Sequence, residues 1–163
     1  MNVRWAKILV FLLPVLIFGT GFALSQITFN NTTVILASQN IFITQPTRTS
    51  QTCPADGNIA YKNSGFTSLA WTLTQGGAAA QAFFCIDNQG TSADTPNVTA
   101  SGTGIANGAC PSTASTLTWA APSGVPTSLA AHTATTSAPI TIAVCAGSGT
   151  SAGAGPSFTV TVT

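Results

Sequence analysis

Few residues in this chain are equipped for chemistry. Its 163 residues contain one histidine, His132, and three carboxylates, Asp56, Asp87 and Asp94, with no glutamate. The aspartates stand in turn-like settings: Cys-Pro-Ala-Asp56-Gly, Ile-Asp87-Asn-Gln-Gly and Ala-Asp94-Thr-Pro. Aspartate in such places closes local turns by bonding nearby backbone. A serine, a histidine and an aspartate can be picked out, but no nucleophile motif frames any serine. The chain therefore reads as non-enzymatic, with no catalytic residue and no cofactor. Isolated aspartates are poor calcium ligands. The cysteines form no CxxC and have no partner histidines, so no metal is expected.

The residues that remain useful are Cys53, Cys85, Cys110 and Cys145. An even number of cysteines in an exported chain suggests two disulfides. Three connectivities are possible. The preferred one is Cys85–Cys145 with Cys53–Cys110. Cys85 and Cys145 sit in strong strand patterns, like the inter-sheet bridge of an immunoglobulin sandwich, whereas Cys53 and Cys110 share Cys-Pro loop contexts. Cys145 falls out of phase with Ile140, Ile142 and Val144, which places it off the main core face.

Three glycosylation sequons accompany them: Asn30-Asn-Thr32, Asn31-Thr-Thr33 and Asn97-Val-Thr99. Export would make them usable. Asn30 lies opposite Ile27 and Phe29 in a strand pattern and is preferred over Asn31; Asn97 sits in a loop. Lys62 is the only lysine after the N-terminal segment. It reads as an exposed surface lysine, with an amide cross-link to asparagine as the sharper alternative.

Export is indicated at the N-terminus. Arg4 and Lys7 precede ILVFLLPVLIFGTGFALS, a basic region followed by an apolar run and small residues. Ile8 to Leu24 is 17 residues, interrupted by Pro14, Gly19 and Gly21, marginal for spanning a bilayer. Residues 1–25 are read as a secretory signal cleaved after Ser25; a retained membrane anchor is the alternative. Of four basic and three acidic residues in the whole chain, Arg48, Lys62 and the three aspartates lie beyond it. So sparse a charge excludes a basic surface for nucleic acid. It also leaves little to titrate, so the domain is expected to tolerate acid and to suit an acidic or harsh exterior.

Beyond residue 25 no helical period runs for three turns. Period-2 strands recur at Ser68–Thr74, Ala79–Asp87, Ser115–Ala120, Pro139–Ala146 and Ser157–Thr163, with weaker candidates at Asn58–Lys62 and near Val98. Gly, Pro, Ser and Asn turns join them. Eight or nine short strands predict an all-β fold, an immunoglobulin-like two-sheet β-sandwich over residues 46–163. A small closed barrel is the other option. Trp71 and Trp119 alternate with threonines, a core pattern.

Before it lies an extended N-terminal strand, residues 26–45. Ile27 and Phe29 alternate with Thr28 and Asn30, and the phase is lost before Val34-Ile35-Leu36, which suggests a bulge or bend. No cysteine ties this segment down. A sticky free strand needs a cover, from its own domain or from a neighbour.

This layout resembles the donor-strand-linked thread and bundling-pilus subunits of archaea across the whole chain: secretory signal, N-terminal strand, low-charge Ser/Thr-rich β domain and sequons. The resemblance implies a cell-surface or secreted filament subunit. Its strand residues Ile27, Phe29, Val34 and Leu36 would complete the sheet of the next copy, head to tail, in adhesion or cell–cell contact. Partners would be copies of itself and N-linked glycans. Type IV pilins differ in retaining a long N-terminal helix. The competing reading is a monomeric secreted or membrane-anchored binding module. In the filament case residues 26–37 should lack a partner in their own subunit. In the module case they form its first strand, and Trp71 or Trp119 should be exposed.

Overall fold

The computed structural model describes residues 26–29, 34–37, 40–135, 138–151 and 158–163. The signal segment and the sequon residues Asn30 and Asn31 lie outside them. No helix occurs among the described residues, and none is long and apolar enough to cross a membrane.

Twelve strands follow one another: β1 (Gln26–Phe29), β2 (Val34–Ala37), β3 (Ile41–Ile43), β4 (Trp71–Thr74), β5 (Ala80–Phe84), β6 (Ile86–Asn88), β7 (Val98–Gly102), β8 (Ile105–Asn107), β9 (Leu117–Ser123), β10 (Thr133–Ala134), β11 (Ile140–Ala146) and β12 (Phe158–Val162). They form four ladders, ordered β1-β4, β10-β6-β3, β5-β11-β9-β8 and β2-β12-β7. All pairs are antiparallel except β2 with β12 and β8 with β9. The chain is all-β, with several sheets around one core, compatible with a β-sandwich.

Alternation explains the core. In β11 Ile140, Ile142 and Val144 are fully buried while Thr141 and Ala143 are half-buried. The same rhythm buries Trp71 and Leu73 in β4 and Phe158, Val160 and Val162 in β12. These residues, with Ile41, Phe84, Leu117 and Trp119, join one cluster drawn from all four ladders. Each such side chain contributes about 1.5–3 kcal/mol on burial.

The strand expected over Ala79–Asp87 is two strands. Phe84, Cys85, Ile86, Asp87 and Asn88 are all buried, so period 2 breaks at Cys85. The chain before the break pairs with β11; the chain after it pairs with β3 and β10. Strand β9 runs past the expected end to Ser123. Its ladder with β11 shifts register between Thr141 and Ala143, and such an irregularity accommodates Pro122, which has no N–H to give. Asn58–Lys62 is a turn carrying one isolated bridge, Lys62 to Ile43, because only Tyr61 of that segment is buried. Strands β8 and β10 were not expected, being short and carrying no alternating apolar pattern.

The preferred disulfide pairing is corrected. The bonds are Cys53–Cys85 and Cys110–Cys145, closing 32 and 35 residues. Cys85 packs in a second small cluster with Tyr61 and Ala134, against Cys53, away from the main core. Cys145 stands opposite Thr118, whose carbonyl lies 3.7 Å from the Cys110 sulfur. None of the four half-cystines belongs to the main core cluster, whereas Ile86 and Val144, the chain neighbours of Cys85 and Cys145, do. Peptide mapping under non-reducing conditions should recover these two pairs. Replacing Cys110 and Cys145 together by alanine should lower stability by about 3–4 kcal/mol for a loop of this length, read as a shift of the denaturant midpoint.

Candidate functional site

The N-terminal strand has a seat in its own chain. β1 pairs antiparallel with β4, setting Ile27 opposite Leu73 and Phe29 opposite Trp71. β2 pairs parallel with β12. Ile35 and Ala37 stand opposite the buried Val160 and Val162, whereas Val34 and Leu36, the expected anchors, stand opposite the half-buried Thr159 and Thr161. Three consecutive apolar residues carry no alternation from which that phase could be read. The expectation that residues 26–37 lack a partner in their own subunit is therefore not met in the single chain.

The seat itself is held without the arm. Among the described strands β1 is the only ladder partner of β4, yet other contacts pin both ends of β4. At its start the Gln45 amide donates to the Thr67 carbonyl at 3.0 Å and accepts from the Thr67 N–H at 2.9 Å. The Arg48 guanidinium lies 3.8 Å over the Trp71 ring and donates to the carbonyls of Gln81 and Ala70. Burial lowers its pKa from the ordinary arginine value. At the far end the Gln75 amide donates to the carbonyls of Ser148 and Thr150, at 2.7 and 2.9 Å, and the Gly76 N–H donates to the Ala146 carbonyl. Both disulfides close downstream of residue 52, so no covalent bond beyond the main chain ties the arm to this seat.

The other candidate residues are dispersed. Trp71 is fully buried and Trp119 is 3 % exposed, so neither offers an aromatic platform on the surface. Lys62 is exposed, far from the buried setting that an amide cross-link needs. Asp94 accepts from the Thr95 N–H, the turn role expected of it. His132 is exposed at a positive φ of 51°. Among the described residues no three His, Cys, Asp or Glu gather as metal ligands. Asn97 is exposed, at the entry to β7.

Asp56, exposed in the loop that Cys53–Cys85 anchors, comes close to Asp87. Asp87 is fully buried. One carboxylate oxygen accepts from the Gly57 N–H at 3.1 Å and from the Gln89 amide; the other has no partner. Gln89 also donates to Asp56 at 3.3 Å. Burial raises the Asp87 pKa and the neighbouring Asp56 raises it further, against the opposing bonds from Gly57 and Gln89. Burial and both carboxylates push Tyr61 up to about 12. Sequence reading missed this pair because the 31 residues from Asp56 to Asp87 are closed up only by the fold.

A groove of about 460 Å³ opens between β7 and the β8–β9 pair, lined by Val98, Thr99, Ala100, Asn107, Trp119 and Pro122 among others, none ionisable. No protein-family model matches this chain, and neither a curated protein nor a solved structure does.

The Asp87 shift has a definite sign for stability. A buried carboxyl with a raised pKa favours the folded state fully below its ordinary value of 3.8, and that contribution is lost as pH rises through the folded value. Thermal unfolding should therefore show the domain at least as stable at pH 4 as at pH 7. Asp87→Asn should flatten the profile. A midpoint that falls steadily on acidification would contradict this.

Proposed function

We propose that this chain is a structural subunit of an extracellular surface filament, serving adhesion or cell–cell contact. It is exported through its N-terminal segment, folds as an immunoglobulin-like sandwich, and polymerises by placing residues 26–37 on the β4 and β12 edges of a neighbouring copy. The observation that supports this most is the seat: β4 is anchored at both ends by contacts independent of the arm, yet depends on the arm for its ladder. In a single chain the arm fills its own seat. In a concentrated population the same ladder forms with another copy, at little cost because every contact is retained. Strand addition supplies main-chain hydrogen bonds and side-chain register together. Head-to-tail donation does not close on itself and extends as a fibre.

Two intramolecular disulfides fit an oxidising or extracellular compartment. The competing reading, a monomeric secreted or membrane-anchored module, draws on the uncharged groove beside β7 and on the arm's place in its own sheet.

Thr28 and the exposed Thr72 stand opposite each other in the β1–β4 ladder, which gives a direct test. Thr28→Cys and Thr72→Cys are introduced in separate copies, and the two are co-expressed. Strand exchange should yield an intersubunit disulfide, with fibres by electron microscopy and an SDS-resistant ladder that collapses on boiling. Deleting residues 26–37 should abolish both. A double variant that cross-links only within one chain, together with a monomer in all assays, would overturn the filament reading.

A further inference from the structure

The outer side of β7 has no ladder partner among the described strands. Asn97 and Thr163 exchange both backbone hydrogen bonds, at 2.7 and 3.0 Å. In an antiparallel ladder bonding alternates along the strand. Asn97, Thr99 and Ser101 thus face β12, and Val98, Ala100 and Gly102 hold their N–H and C=O groups on the opposite side, where no described strand pairs. The edge of β8 is open in the same way. Leu117 donates to the Gly104 carbonyl and Gly108 to the Trp119 carbonyl, so Ile105 and Asn107 present their backbone groups away from β9. Val98, Ala100 and Asn107 all line the groove.

Proteins guard such edges with charges, lysine, proline or a covering segment. β7 reads VTASG and β8 reads IAN, with none of these. What stands at the entry is a sequon. Asn97 has an exposed side chain on a backbone held by two hydrogen bonds, and Thr99, its hydroxyl residue, is exposed and lines the groove.

We propose that Asn97 carries an N-linked oligosaccharide whose first sugars lie in this groove and cover the open edge of β7. The inference rests on the export that the filament reading also requires. The modification joins C1 of a sugar to the Asn97 side-chain nitrogen. The bond from C1 to the phosphate of a lipid-linked saccharide donor breaks, the lipid phosphate leaves, and the nitrogen gives up a proton. The groove suits this occupant. Sugar hydroxyls both donate and accept, matching the free N–H and C=O of Val98 and Ala100 and the Asn107 amide. Their C–H faces match Ala121 and Pro122 on the groove wall, and no lining charge has to be desolvated.

The test is glycopeptide mass spectrometry on the native protein, with amide hydrogen exchange on the same material and on Asn97→Gln. Thr99→Ser keeps the sequon and serves as the control for folding. A hexose- or hexosamine-bearing peptide at Asn97 is expected. Its loss in Asn97→Gln should speed exchange at Val98 and Ala100 several-fold while leaving Thr99, bonded to β12, unchanged. Unmodified Asn97 overturns the proposal, as does a modified Asn97 with equal exchange in both forms. Unmodified Asn97 with concentration-dependent protection of Val98 and Ala100 overturns it in favour of a strand from a second copy. Fibre formation is scored separately, so loss of the sugar with fibres intact leaves the filament reading standing.

Discussion

Phe158 meets Trp71 at 6.1 Å between ring centroids and Trp119 edge-on at 6.3 Å. These three rings come from β12, β4 and β9, which belong to three different ladders. Aromatic contacts of this geometry contribute about 0.5–1.5 kcal/mol each beyond the area they bury. Their larger effect is positional. Phe158 begins the strand on which β2 pairs, and Trp71 begins the strand on which β1 pairs. The two landing strips for the N-terminal segment are therefore held in fixed relation by a contact that does not include that segment. Arg48, stacked over the Trp71 ring at 3.8 Å, holds the same ring as well.

Scarcity of charge shapes the rest. With five ionisable Lys, Arg or Asp side chains after residue 25, surface ion pairs contribute little to stability. Backbone ladders, one apolar core and two disulfides carry the fold instead. The few charged groups that are structured act locally. Arg48 and its carbonyl partners brace β4, and Asp87 receives the loop that Cys53 anchors. Because Asp87 is buried beside another carboxyl, with no cation opposite it among the described residues, protonation relieves it. This is the reverse of the usual acid response, in which paired carboxylates lose their partners.

Low charge also removes the ordinary defence of sheet edges. Two of the strand edges among the described residues bear on function, the seat on β4 and β12 and the open side of β7. The first is matched by an apolar, cysteine-free segment of the same chain. The second is matched by a sequon and an uncharged groove. Both solutions are non-ionic, and both depend on polar backbone finding partners.

Much of this was legible in the sequence. The alternation in SLAWTLT, PITIAVC and SFTVTVT determined which residues of β4, β11 and β12 face the core, because a strand has period 2 whatever it pairs with. The even number of cysteines indicated that two disulfides form. The place of Cys145 off the core face followed from phase alone. Tertiary structure decided which strands are neighbours, and hence which cysteines pair: Cys85 finds Cys53 because the chain turns at Cys85 from one ladder into another. It also decided the phase of Val34-Ile35-Leu36, where every residue is apolar and only the register with Val160 and Val162 distinguishes them. The Asp56–Asp87 pair and the groove between β7 and β8 are likewise contacts between distant segments. Local pattern specifies a strand's faces; its partners are set by long-range packing, which no window of sequence contains.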